Sequence, residues 1–155
     1  MKIGVSTSSF GVPDDRPIRF LRERGVDLVL NPFGRRLNRG EAVDFISDLD
    51  GLIAGLEPLD RAVLSTSNQL RAIARVGIGM DNVDVEAAGE LAIYVSNTPE
   101  PPSFAVAEMT VASMLALIRG LPGHFQALGA GRWEKNVAGS LQGAVVHLIG
   151  FGRIG

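Results

Sequence analysis

There is no cysteine among the 155 residues. Its absence excludes a disulfide framework and thiolate metal sites, and no metal ligand is assigned in this sequence. Charge of one sign is also missing: 15 Lys and Arg against 17 Asp and Glu leave a formal net charge of -2. Without a basic cluster the chain has no electrostatic footprint for nucleic acid. Long apolar runs are lacking as well. The longest mostly apolar stretch, 111–118 with Ser113 inside it, falls far short of the ~20 residues that a membrane span needs. The opening MKIGVSTSSF carries one lysine and a very short apolar run, unlike a secretory leader. These absences lead us to expect a soluble, cytoplasmic protein with no nucleic-acid or membrane partner.

What is present is an alternation. Short apolar runs at 3–5, 26–30, 51–54, 73–76 and 92–95 are separated by helical spacing at 17–24, 41–49, 61–70 and 85–91. Asp60 and Asp84 stand where they would cap the last two helices. The runs are apolar on consecutive residues, as strands covered on both faces are. Five such units with short connections predict an α/β protein, a flavodoxin-like doubly wound parallel sheet.

A different element follows Pro99, Pro101 and Pro102. Residues 103–121, SFAVAEMTVASMLALIRGL, have helical character and only two charges, Glu108 and Arg119. A helix with no wet face is expected to be buried on several sides, by another domain or a second subunit. Residues 122–143 read as a Gly-rich connection around Trp133, in which His124 is expected to be solvated. Residues 144–149 then read as a new strand, with His147 packed inside it.

Two glycine turns carry chemistry. Gly150-x-Gly152-x-x-Gly155 follows the apolar AVVHLI, the setting that a dinucleotide-binding fingerprint requires. Gly150 permits a tight turn, Gly152 lets backbone approach a pyrophosphate, and Gly155 lets helix pack on strand. Arg153 would add a contact to a phosphate oxygen. The acidic residue that selects NAD over NADP lies roughly 20 positions further on, so that choice is unread. The other turn, Arg75-Val-Gly77-Ile78-Gly79-Met-Asp81, follows a strand at its carboxyl end, where open α/β sheets bind ligands. Amides around Ile78 and Gly79 could converge on an anion there, with Arg75 beside them. A plain strand-to-helix turn uses glycine in the same pattern, and the spacing alone does not choose.

Together, LRAIARVGIGMDNVDVEAAGE, VSNTPEPPSFAVAEMTVASMLALIRGL, GRWE and LQGAVVHLIGFGRIG resemble the D-isomer-specific 2-hydroxyacid dehydrogenases, in particular their phosphoglycerate-dehydrogenase-like branch. SSFG, NPFGRRL and DGLIAGLEPL fit as well. The resemblance covers the N-terminal part of such enzymes and stops at the glycine fingerprint. It implies a flavodoxin-like substrate-binding (catalytic) domain at 1–98. Residues 99–155 would be the crossover helix with the first strand and turn of a truncated Rossmann NAD(P)-binding domain.

The activity implied is hydride transfer between a nicotinamide, NAD by preference, and C2 of a small 2-hydroxy or 2-oxo acid. Arg75, Ile78 and Gly79 would bind substrate. Ile78, Gly150, Gly152, Arg153, Ile154 and Gly155 would bind cofactor. The catalytic Arg, Glu and His of the family belong downstream of Gly155, so none is assigned here and the chain alone is expected to have no turnover. A homodimer through 103–121 is implied too. Departures stand at Glu100, Pro101 and Pro102, and at Ala54 and Gly55, where phosphoglycerate-type members carry Arg-Ser; the missing guanidinium weakens the case for a phosphorylated substrate. The alternative is a non-catalytic, peptide-binding dimer of the corepressor type.

Overall fold

In the structure, a computed structural model describing residues 1–12 and 14–155, strand β1 (Lys2–Val5) lies between β2 (Asp27–Leu30) and β3 (Gly51–Ala54). Strands β4 (Ala72–Arg75) and β5 (Tyr94–Asn97) extend the sheet, giving the order β2-β1-β3-β4-β5 with every pair parallel. This is the flavodoxin-like, doubly wound arrangement. Its order reverses at β1, and all five strands present their carboxyl ends at one edge.

Register decides which side chains meet. Val29 pairs with Gly4, Gly4 with Leu52, Leu52 with Ile73, and Ile73 with Val95, so these residues share one face. That face carries the core, with Ala42, Ile46, Leu49, Val63, Leu64 and Ala87 packed over it. They come from helices α2 (Arg39–Ile46), α3 (Arg61–Leu64) and α4 (Val85–Glu90) and the segment after α2. Gly4 is small for a reason: a Cβ there would overlap Leu49 Cδ1 and lie 2.8 Å from Phe45 Cε1.

The opposite face departs from the expectation of a doubly covered sheet. Ala72 and Ala74 are exposed and Tyr94 is 72% exposed, while α1 (Arg16–Glu23) buries none of its residues. Consecutive apolar residues marked these strands correctly but said nothing about how far the second layer reaches.

The caps form where the sequence places them. Asp60 accepts the Val63 N–H at 3.1 Å, and Asp84 accepts the Ala87 N–H at 2.9 Å. Asn38 and Glu41 close a reciprocal capping box on α2. Helix α3 stops at Leu64, short of the expected 70. Beyond it, Thr66 Oγ1 donates to Val63 O at 2.7 Å and Ser67 Oγ accepts the Leu70 N–H at 3.2 Å, so hydroxyls take the place of helical bonds. Strand β5 begins two residues later than expected. Ala92 takes a left-handed conformation (φ 56) to turn the chain off α4, and pairing starts only at Tyr94.

The chain divides into two compact units, Met1–Pro99 and Glu100–Gly155. The second holds α5 (Pro101–Ile118) and α6 (Leu121–Gly129), which meet at a 69° bend around Gly120 (φ 63). Among the described residues no single helix is long and apolar enough to cross a membrane, although the bent pair together reaches that length. Helix α6 replaces the expected connection, since Pro122 in its first turn starts a helix instead of breaking one. His124 therefore lies half-buried on α6 beside Trp133, not in a solvated turn.

Within the chain helix α5 is left uncovered, with Phe104 84% and Leu117 73% exposed, so a cover from another domain or a second subunit is neither present nor contradicted. One further expectation is corrected in this unit. Residues 144–149 form no strand, and His147 is exposed instead of packed. A strand exists through its ladder, and the described residues of this unit include no other strand to pair with.

Candidate functional site

At the carboxyl end of β4 the chain leaves the sheet in a braced turn. The Val76 N–H donates to Ala54 O at 2.9 Å, the last ladder bond. Gly77 then takes φ +141, and a Cβ there would overlap Arg75 Nη1. Only glycine meets both conditions. The Gly77 N–H donates to Thr98 Oγ1 at 2.6 Å, the Thr98 N–H returns to Gly77 O at 3.0 Å, and Asn97 Nδ2 donates to Ile78 O at 2.8 Å. The end of β5 thus holds the turn from one side.

The N–H groups of Ile78 and Gly79 donate to no acceptor among the described residues. Arg75 lies beside them: its Nη1 donates to Val76 O at 2.5 Å, while its Nε is buried without a partner. Two free amides and a guanidinium with unused donors are an arrangement that can accept an anion, and a carboxylate has two oxygens to match two adjacent donors. Asp81 limits the charge this site can take, since its Oδ2 lies 3.2 Å from the Cβ position of Gly79.

A second layer ties this turn to β1 and β3. Asn82 Nδ2 donates to Glu57 O at 2.8 Å and to Gly55 O at 3.3 Å, and Leu59 N–H donates to Asn82 O at 2.8 Å. Glu57 is 1% exposed. Its Oε1 accepts from Ser6 Oγ at 2.5 Å and from the Gly55 N–H at 3.1 Å.

In the second unit, Gly150 to Gly155 form a turn closed on itself. A Cβ on Gly155 would lie 2.9 Å from Gly150 O and 3.1 Å from Phe151 Cα. Gly155 is thus needed for close approach within the turn, where the sequence suggested helix-on-strand packing. The N–H groups of 151–155 meet no acceptor among the described residues, as an anion-binding turn requires. Arg153 is exposed, and its Nη1 lies 3.3 Å from Glu100 Oε1.

Residues 8–140 match the profile of the D-isomer specific 2-hydroxyacid dehydrogenase catalytic domain. The chain belongs to this family. It is 40% identical over 123 residues to D-3-phosphoglycerate dehydrogenase of Methanocaldococcus jannaschii, a match covering 77% of this chain and 23% of that enzyme. Among solved structures it resembles the TT0316 protein of Thermus thermophilus, with TM-score 0.86 and 31% identity over 99% of this chain and 50% of that one. It also resembles the NAD+-bound 3-phosphoglycerate dehydrogenase of Entamoeba histolytica, with TM-score 0.65 and 28% identity over 77% and 39% of the two chains. The chain therefore spans between about a quarter and a half of the length of these family members.

Within the family frame, the structure brings Arg75, Ile78 and Gly79 together in one turn and Gly150, Gly152, Arg153, Ile154 and Gly155 in another. It adds Thr98, Asn97, Asn82 and Glu57, which carried no local signal of a role. The bonds of Thr98 and Asn97 to Gly77 and Ile78 span 21 and 19 residues.

Proposed function

We propose that this chain supplies the substrate-carboxylate site, and the opening of the dinucleotide site, of an oxidoreductase. The reaction is hydride transfer between NAD and C2 of a small 2-hydroxy or 2-oxo acid. The observation that carries this reading is the pair of unpartnered amides at Ile78 and Gly79 beside Arg75.

The Ile78 and Gly79 N–H groups donate to the two carboxylate oxygens of the acid, and Arg75 adds a charged donor. Because Thr98 and Asn97 already hold the turn, little backbone entropy remains to be lost on binding. Fixing the carboxylate fixes the adjacent C2 with it, which is positioning and not chemistry. The turn at Gly150, Gly152 and Gly155 would hold a pyrophosphate through its free amides, with Arg153 and Ile154 as flanking contacts, and Ile78 is assigned as a further cofactor contact. The chemistry such a cofactor supplies is exchange of a hydride at C2. NAD is the assignment that the Entamoeba enzyme supports. We assign 1–98 to substrate and 99–155 to cofactor and dimer contacts, with a homodimer formed through α5.

Neither histidine stands ready to move the proton that accompanies the hydride, since neither is hydrogen-bonded to a carboxylate among the described residues. The 155-residue chain is therefore expected to show no turnover with NADH and a panel of 2-oxo acids. The binding reading is tested by following the Ile78 and Gly79 amide resonances during titration with D-glycerate. They are expected to shift first and furthest; unmoved resonances would overturn the assignment.

A further inference from the structure

Glu57 is a buried carboxyl group that the turn chemistry leaves half-satisfied. Its Oε1 takes both available donors, Ser6 Oγ and the Gly55 N–H. Its Oε2 is buried and has no partner. That oxygen sits under Gly55 and Thr7: a Cβ on Gly55 would lie 3.1 Å from Oε2 and 3.1 Å from Thr7 Cβ. Gly55 in turn lies one strand from the Ile78–Gly79 turn, because Ala54 is registered with Arg75 and accepts the Val76 N–H. Strand spacing puts neighbouring backbones about 4.8 Å apart.

The charges facing this edge can be counted. Arg75 is a cation and Asp81 an anion, both in the turn itself. Glu57 adds a second carboxyl group whose field passes through poorly screening protein. Other cations on neighbouring loops are engaged: Arg35 with Glu41 at 2.7 Å and Arg16 with Asp14 at 2.5 Å. Arg36, in the loop that follows β2, makes no ion pair among the described residues, and β1 and β3 lie between β2 and β4 in the sheet. The β4 end of this edge thus offers one cation, Arg75, to one ligand anion.

We infer that Glu57 is a specificity-determining residue, which makes this site select monoanionic 2-hydroxy or 2-oxo acids with an uncharged far end over phosphorylated ones. The inference rests on the carboxylate site proposed above. A phosphate brings about -1.5 to -2 further charge and only acceptor oxygens. It would meet no second cation and would face the Glu57 and Asp81 carboxylates. A hydroxyl or methyl far end meets no such penalty.

The test compares D-glycerate with 3-phosphoglycerate, which differ by the phosphate alone, in titrations of the 155-residue chain read at the Ile78 and Gly79 amide resonances. D-glycerate is expected to bind about tenfold more tightly. In Glu57→Gln, which keeps the shape and removes the charge, the gap is expected to close to about threefold or less. The wild-type comparison of the two ligands needs no substitution, and so keeps the inference testable if the variant does not fold. Equal binding, tighter binding of 3-phosphoglycerate, or a gap indifferent to Glu57→Gln would overturn the inference and leave the carboxylate site standing. If neither ligand moves the two amides, the carboxylate site fails and the inference falls with it.

Discussion

Gly77 and Thr98 exchange two hydrogen bonds across 21 residues: Gly77 N–H to Thr98 Oγ1 at 2.6 Å, and Thr98 N–H to Gly77 O at 3.0 Å. This pair holds the Ile78–Gly79 amides at the edge of the sheet. Thr98→Val keeps the shape and removes the acceptor. Loss of one partly solvated bond is expected to cost about 1 kcal/mol in a urea unfolding curve. The affinity for D-glycerate should fall as well, and unchanged affinity would show that the brace does not shape the turn.

Gly77 itself tolerates no side chain. At φ +141, with a Cβ overlapping Arg75 Nη1, Gly77→Ala should combine backbone strain with displacement of the guanidinium. The expected destabilisation is about 1–3 kcal/mol, with D-glycerate binding lost. Gly79→Ala is the control. Its φ is not positive and its Cβ would meet only Asp81 Oδ2 at 3.2 Å, so its stability should stay closer to wild type.

Gly4 tests the core. Gly4→Val places its Cβ onto Leu49 Cδ1 and close to Phe45 Cε1, and α2 must move off the sheet to admit it. Overpacking of this kind costs about 1–3 kcal/mol. A shift in the urea midpoint without a change in slope would show lost stability with the native state's compactness kept.

Glu41 gives the fold an acid-sensitive clamp. The Arg35 guanidinium, followed by the Asn38 N–H, holds the Glu41 carboxyl down at about 2 from its ordinary 4.5. A lowered carboxyl value means that the folded state prefers the ionised form. The contribution is fully present above about pH 4.5 and is lost as pH falls toward about 2. Subtracting the Glu41→Gln unfolding curve from wild type should show a difference that is flat at neutral pH and shrinks through that window. A difference that grew on acidification would contradict the Arg35–Asn38–Glu41 geometry.

Helix α5 tests the proposed dimer. Met109 and Leu117, 67% and 73% exposed, line an open groove of about 500 Å³ on this helix. A monomer with this apolar area exposed should self-associate. Sedimentation is expected to give a dimer or larger species at micromolar concentration, and Met109→Asp with Leu117→Asp should shift it toward monomer. A wild-type monomer would count against the dimer.

Part of this protein was legible from local pattern. Consecutive apolar runs located five parallel strands, and Asp60 and Asp84 marked their helices, because capping acts across only three residues. Paired glycines after strand β4 located a turn capable of holding an anion. Other elements were not legible. Residues 144–149 have a strand's composition but no ladder, and α6 was hidden because Pro122 is read as a breaker unless the first turn of a helix is known to begin there.

Alone, then, the sequence determined the order of elements from β1 to β5, the caps at Asp60 and Asp84 and the place of the Arg75–Gly79 turn, all of them set by interactions within a few residues. Tertiary structure decided which amides stay free, that Thr98 and Asn97 hold the turn, and that Arg153 faces Glu100. It also brought Glu57 to Ser6 Oγ with one oxygen unpaired. These relations join residues 19 to 53 positions apart. They exist only once the order β2-β1-β3-β4-β5 sets the strand ends side by side and the second unit closes its own turn. No periodicity along the chain encodes a hydrogen bond of that reach.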